Sequence, residues 1–363
     1  MTAYTLYGAD VSYFSGKARA YLRWRGVDFE EKLATQAVYR DIILPNVGWP
    51  VIPVLAMPDG EIVQDTADII ARVEAREQRS PSVWPAGSVQ KFVCELLHLY
   101  ADEWLVIPAM HYRWTYNEDW AYAEFGALSA PDLSRPEQYE IGKKNGQRFK
   151  GALPVLGVHA ETIPGIEASY EAFLADFSRH LAANSFLLGG RPCLADFAFI
   201  GPLYAHLLRD PKSGELMERL APAVAAWTRN THQGAVNVTE LPGDDSVPET
   251  LLPLLRRQMR EQLPALAATA ALFGNWTADA TPGSLLPRAF GPMDIAIEGH
   301  TGPAAARSFP LYRLQAALDA YEALDAAAKT RADALLGQIG GEALKDFHLP
   351  ARLERRDCKL ILA

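Results

Sequence analysis

Cysteine is scarce in this chain. Cys94, Cys193 and Cys358 stand far apart in 363 residues and form no CxxC pair, which argues against a disulfide framework or a zinc site and suits a reducing, cytoplasmic setting. Basic clusters are missing as well. Lys and Arg run no longer than pairs such as Arg355-Arg356 and the formal net charge is −9, so neither a general nucleic-acid surface nor an anionic-membrane patch is expected. No apolar run approaches the roughly 18 residues of a membrane span, and no charged stretch leads into an apolar one at the start, so spanning and secretion are both unexpected. On that view the sequon Asn237-Val238-Thr239 is a chance match. The chain also has no HExxH, no GxSxG and no GxGxxG after a strand. Gly16-Lys17 is no phosphate loop, because seven residues separate Gly8 from Gly16 and Ala18 follows the lysine.

What is present describes an ordered globule. Apolar residues make up 49% and charged residues 22% of the chain, a balance with room for two or three domains and a sizeable core. Residues 3–8 read as a strand, and Ser15 to Arg25 as a helix with Ala18, Tyr21, Leu22 and Arg25 on adjacent turns. Asp28 to Leu33 reads as a second strand and Gln36 to Leu44 as a short helix or irregular segment. Ile52 to Met57 and Glu61 to Gln64 form a hairpin pattern across Pro58-Asp59-Gly60, since Asp-Gly supplies the positive φ of such a turn. A helix over Asp65 to Arg76, with Ile69, Ile70 and Val73 inward, completes a βαβαββα order.

The turn-forming stretch Arg79 to Gly87 reads as a linker, and beyond it the pattern is helical. Tyr170, Phe173, Leu174, Phe177 and Leu181 make one apolar helical stripe, which Gly189-Gly190 is expected to end. Asp196 to Leu208 reads as a buried central helix. Asn275 to Gly302, rich in Gly, Pro and Ser, reads as a second weak point, and Pro310 to Leu324 and Ala326 to Leu336 as a last helix pair.

Ser12-Tyr13-Phe14-Ser15-Gly16-Lys17-Ala18-Arg19, followed by Ile52-Pro53 and Asp65-Thr66, resembles the glutathione transferase superfamily over roughly residues 3–230. Residues 266–363, whose helical stripe over Leu311 to Leu324 and apolar end Leu360 to Ala363 need cover, read as a mostly helical extension packed on the helical domain; the resemblance implies an α/β thioredoxin-like domain over 1–78 and an all-helical bundle domain over 88–265. It implies a serine-type site in which Ser12, seven residues before Arg19, stabilises the glutathione thiolate; Tyr13 stands where the family usually has Pro. A thiol of pKa about 8.5 is mostly protonated at neutral pH, and a hydroxyl donor beside the positive end of a helix lowers that value. The plain reading of Ser12 is a turn or cap residue. Ser15, read here as the helix N-cap, and Tyr7 are the rival hydroxyls; Tyr4 lies in the same strand.

By the same resemblance Ile52-Pro53 is the cis-proline step whose Ile52 backbone pairs with the cysteinyl part of glutathione. Asp65 and Thr66 hold the γ-glutamyl group, although both also suit a helix cap. Arg40 and Trp49 are candidates for the glycine end, and the spacing selects neither. Met110, His111 and Trp114, in an unusually aromatic run, are candidate walls of a pocket for a hydrophobic electrophile; a core role is the plainer reading of such a stripe. Gly190 to Asp196 resembles a buried capping box, with Cys193 in place of Ser or Thr. The expected activity is glutathione transfer to an electrophilic small molecule by a homodimer. Isomerisation, dehalogenation and ether cleavage would use the same thiolate, and a non-catalytic glutathione-binding protein is the alternative. A serine forms no mixed disulfide, which argues against thiol-transferase chemistry.

Overall fold

The computed structural model describes residues 3–235 and 239–363, so the sequon lies outside the described residues but for Thr239. Strand β1 (Tyr4–Gly8) pairs in parallel with β2 (Phe29–Leu33). A parallel pair needs a crossover, and helix α1 (Tyr13–Arg25) supplies it. Gly26 ends α1 in the left-handed region at φ 67, where a side chain would be strained, and its N–H bonds back to the Leu22 and Arg23 carbonyls. A broken helical segment follows: α2 (Gln36–Val38), a π turn over Tyr39–Ile43, and α3 (Leu44–Val47). Strands β3 (Val54–Ala56) and β4 (Ile62–Gln64) form the expected hairpin, closed by bonds between Met57 and Glu61 and between Gly60 and Met57. Helix α4 (Thr66–Glu77) completes the block, whose sheet runs β2-β1-β3-β4.

The helical remainder begins with α5 (Ser88–Glu103), α6 (Val106–Tyr116), α7 (Glu118–Ser129), α8 (Arg135–Lys150) and α9 (Ile163–Leu181). The apolar stripe of α9 is buried as expected, but the helix stops at Leu181, before Gly189-Gly190. Phe186 and Gly189 instead exchange backbone bonds in a tight turn of their own. Helix α10 (Leu194–Pro202) continues as a π-helical turn, Leu203–Leu208, and α11 (Pro211–Leu220), α12 (Pro222–Gln233) and α13 (Leu252–Thr277) follow. The boundary placed between 265 and 266 falls inside α13, which runs on through Pro264.

The extension is less helical than its composition suggests. Within the stretch read as a weak point lies β5 (Ala289–Ile297), paired antiparallel with β6 (His300–Arg307). Its two-residue turn, Glu298-Gly299, has φ of 46 and 80, the double positive φ that a twisted hairpin requires. Gly291 and Pro292 sit at a register shift, where the ladder tolerates them. Helices α14 (Phe309–Glu322) and α15 (Ala326–Ile339) are the expected last pair, and β7 (Leu353–Arg356) and β8 (Lys359–Leu362) form a short closing hairpin.

The chain divides into two compact units, each built from separated segments. The first comprises Met1–Ser82, Ala109–Ala152 and Phe197–Val236; the second comprises Val83–Pro108, Leu153–Asp196 and Asn237–Ala363. In the first unit α1 carries a buried face against α10, the Tyr21 ring standing edge-on to Phe197 at 5.7 Å. Tyr21 also donates to Glu74 of α4 at 2.8 Å, and Arg25 pairs with the same carboxylate. Helices α7 and α8 approach until a Cβ on Gly142 would stand 1.8 Å from the Tyr122 carbonyl oxygen. In the second unit α5, α9 and α13 share a core that includes Phe92, Phe173, Phe177 and Leu255. Helix α14 lies on α5, with Phe92 and Tyr321 rings 5.4 Å apart, and Arg307 donates to Glu103 at 2.9 Å.

Candidate functional site

Strand register brings three predicted segments to one end of the sheet. Tyr7 of β1 opposes Val54 of β3, and Val54 opposes Gln64 of β4. The loop to Ser12 leaves just after Tyr7, Ile52-Pro53 enters just before Val54, and Asp65-Thr66 leaves just after Gln64. Adjacent strands stand about 4.8 Å apart, so the three meet across a span on the scale of a tripeptide. The Ile52-Pro53 bond is cis; Ile52 is half-buried and Pro53 buried.

Ser12, not Ser15, is the N-cap of α1. Its backbone is extended (φ −85, ψ 122) and its Oγ accepts the Ser15 N–H at 3.2 Å. Ser15 is fully buried in the first turn, where its Oγ accepts the Ala9 N–H at 3.3 Å. The assignment of the cap to Ser15 is therefore corrected: the cap stands three residues earlier and the helix starts at Tyr13, which extends its buried face. Capping uses a lone pair of the half-buried Ser12 hydroxyl, not its proton. The first N–H groups of α1 and the positive end of its dipole lie at the same place. Of the other hydroxyls, Tyr7 is 8% exposed within the sheet, and Tyr4 donates to Glu77 at 2.7 Å.

Asp65 caps α4 through its Oδ1, which accepts the Ala67 N–H at 2.9 Å, in a backbone conformation (φ 80, ψ 132) rare outside glycine. Such residues carry a strain of about 1–3 kcal/mol and gather at ligand sites. Thr66 is buried beside it. Arg40 sits on the π turn and spends its guanidinium on Asp41 at 2.6 and 2.7 Å in the open; Trp49 is half-buried.

Met110 is 9% exposed, His111 0% and Trp114 1%. The Trp114 ring packs on Tyr122 and Phe125 at 5.6 and 5.7 Å, and the His111 Nδ1 lies 3.0 Å from the Thr115 hydroxyl. Arg19, the arginine of the helix motif, is buried in a bidentate pair with Glu31 and lies 3.3 Å from Asp10. It also contacts His232, which stacks on Tyr204 with ring centres 3.4 Å apart. Burial, with Arg19 and Arg23 beside it, holds the His232 pKa down to about 3, so the ring is neutral at physiological pH.

Sequence reasoning missed Arg113. It is 1% exposed on α6 and is hydrogen-bonded to Asp210 and to the carbonyls of Val11 and Ala205. The available signal was a charged residue within an apolar, aromatic run, which needs a buried partner. In the second unit Asp196 closes the predicted capping box: its carboxylate accepts the N–H groups of Leu187 and Cys193 at 2.9 and 2.8 Å and the Cys193 thiol at 3.2 Å. Among the described residues no group of three or more His, Cys, Asp or Glu side chains is placed to hold a metal ion, and no helix is long and apolar enough to cross a membrane.

Residues 6–81 match the family model of the glutathione S-transferase N-terminal domain. Solved structures similar to the chain include the beta-etherase LigF from Sphingobium sp. strain SYK-6, at 19% identity over 65% of this chain and 97% of that one with a TM-score of 0.47. The Tau class glutathione S-transferase of mango, Mangifera indica, is 21% identical over 68% of this chain and 94% of its own, with a TM-score of 0.40. A glutathione S-transferase of Ceriporiopsis subvermispora, solved in complex with glutathione, is 14% identical over 66% and 99%, with a TM-score of 0.44. No curated protein matches the chain.

Proposed function

We propose, on the premise that this chain belongs to the glutathione S-transferase superfamily, that it binds glutathione across this end of the sheet and uses Ser12 to ionise the thiol for attack on an electrophilic small molecule. The observation that carries this reading is the row Tyr7, Val54, Gln64, which sets the Ser12 loop, the cis Ile52-Pro53 step and the strained Asp65-Thr66 cap side by side. The Ser12 hydroxyl donates to the sulfur while the α1 N-terminus favours negative charge there, so the thiol pKa falls without a new formal charge in the site. The Ile52 backbone pairs with the cysteinyl unit. Asp65 takes the γ-glutamyl ammonium, and Thr66 with the first N–H groups of α4 takes its carboxylate. On the electrophile side Met110, the most exposed of the three candidates, faces the substrate, while His111 and Trp114 are buried in the core. The reaction is a displacement or addition by the thiolate. The enzyme works as a homodimer in the cytoplasm, the Asp65 helix of one subunit near the helical region of the other.

Replacing Ser12 by Ala tests the chemistry. Loss of one hydrogen bond to an ionised partner, about 1.5–3 kcal/mol, lowers turnover with a standard electrophile by about 10²-fold and leaves glutathione affinity within a few-fold. Equal turnover of the two proteins removes Ser12 from the mechanism. Tight glutathione binding with no turnover in the unaltered protein, across a panel of electrophiles, establishes the binding-protein alternative. Light scattering near 40 kDa at working concentration counts against the dimer, since one chain weighs 39.9 kDa.

A further inference from the structure

We infer that Arg113 is the positioning residue of the Ser12 hydroxyl, an inference that rests on the reading of Ser12 above. The Arg113 Nε and Nη2 grip the buried Asp210 carboxylate at 2.7 Å each, and Nη2 also donates to the Ala205 carbonyl in the π turn. An ion pair would need no more than this. The remaining nitrogen, Nη1, reaches the Val11 carbonyl at 2.7 Å. Val11 and Ser12 share one peptide plane, and the other polar group of that plane, the Ser12 N–H, donates to the Ala9 carbonyl at 3.1 Å. Both ends of the plane are thus held, which fixes the φ of Ser12; the Ser15 N–H then holds its Oγ. Ala9 is itself tied to the Ser15 hydroxyl. The hydroxyl that must point at a sulfur is therefore aimed by a guanidinium on another helix, anchored by Asp210 at the head of α11. A planar five-donor fork does this where a point charge does not.

Arg113→Lys keeps a buried positive charge against Asp210 but cannot span Asp210 and Val11 together. The test is a difference ultraviolet titration of glutathione bound to four proteins: unaltered, Arg113→Lys, Ser12→Ala, and the double variant. The thiol pKa should rise by about one unit in Arg113→Lys, and kcat/KM near neutral pH should fall about tenfold with the acid limb of its pH profile displaced equally. Glutathione Kd should stay within a few-fold and the circular dichroism spectrum should be unchanged. In the Ser12→Ala background the lysine should add nothing further. An unshifted thiol pKa in Arg113→Lys, or an equal loss in both backgrounds, overturns the inference while leaving Ser12 in place. If glutathione bound to the unaltered protein keeps the pKa of the free thiol, the Ser12 reading falls and this inference falls with it, a result visible before any substitution. Should the lysine variant fail to fold, Asp210→Asn loosens the fork with Arg113 retained; a raised thiol pKa supports the inference and an unchanged one overturns it.

Discussion

Asp65 combines a helix cap with a strained backbone, and two substitutions separate these. Asp65→Ala keeps the unfavourable φ of 80 and loses the bond to the Ala67 N–H, so it lowers stability by about 1 kcal/mol. Asp65→Gly loses the cap at a cost of only a few tenths of a kcal/mol and releases about 1–3 kcal/mol of strain, so it melts above both the alanine variant and the unaltered protein. Both should weaken glutathione binding tenfold or more by calorimetry, because a partner of a charged group is gone. Asp196 gives a pH signature. Burial raises its carboxyl pKa to about 6, and the Leu187 and Cys193 N–H groups pull it partly back. A folded-state value above the unfolded one of about 3.9 means the contribution is complete below about pH 4 and is lost as pH rises through about 6. Denaturant titrations across that window should show the unaltered protein gaining about 2–3 kcal/mol, as pH falls, relative to Asp196→Asn. The plain reading of Ser12 as a turn or cap residue was open in the sequence beside its spacing to Arg19; the choice of cap went to Ser15 because that serine offers the same chemistry three residues on. Arg113 was illegible as a brace because its partners, Val11, Ala205 and Asp210, lie in distant segments that only the fold brings together.

Among the elements, the α7–α8 hairpin rests on glycine. A Cβ on Gly142 would stand 1.8 Å from the Tyr122 carbonyl oxygen and 2.6 Å from the Gly126 nitrogen, backbone atoms that cannot step aside. Alanine normally favours a helix over glycine by about 1 kcal/mol. Gly142→Ala should reverse that sign, costing at least about 2 kcal/mol in urea unfolding, because the helices must separate. The N-terminal elements were readable because strand alternation, the Asp59-Gly60 turn and the helix caps agree with one another. The β5–β6 hairpin was hidden by its own punctuation. Gly291 and Pro292 look like loop residues until the bulge that accommodates them is seen, and the inward alternation is carried by Ile295 and Ile297 on one strand but only by the small Gly302, Ala304 and Ala306 on the other.

For the whole chain, the last hundred residues are part of the second unit's core and not an appendage. Leu311 and Leu314 of α14 are fully buried, Tyr321 meets Phe92 of α5, and the Phe290 ring of β5 lies 5.1 Å from Phe273 of α13. Truncation before Ala265 cuts through α13 and uncovers α5, so it should give insoluble or dye-binding protein. A truncated chain that stays soluble and melts cooperatively would show that α5 needs no cover. The composition announced two or three domains; it did not announce that each compact unit interleaves three stretches of chain, since periodicity reports a buried face and not what buries it.

That interleaving governs the order of events on the ribosome. When Tyr21 emerges, the aromatic ring that will cover it, Phe197, has not been translated, and the carbonyl of Val11 must wait for Arg113, which in turn waits for Asp210. The nascent sheet therefore leaves the exit tunnel with an uncovered apolar helix and an unsettled Ser12 loop; the loop waits for Asp210, and the helix for α12, whose His232 meets Arg19. Chaperone demand during synthesis, measured by crosslinking to stalled chains, should peak at lengths short of α12 and fall once it clears the tunnel.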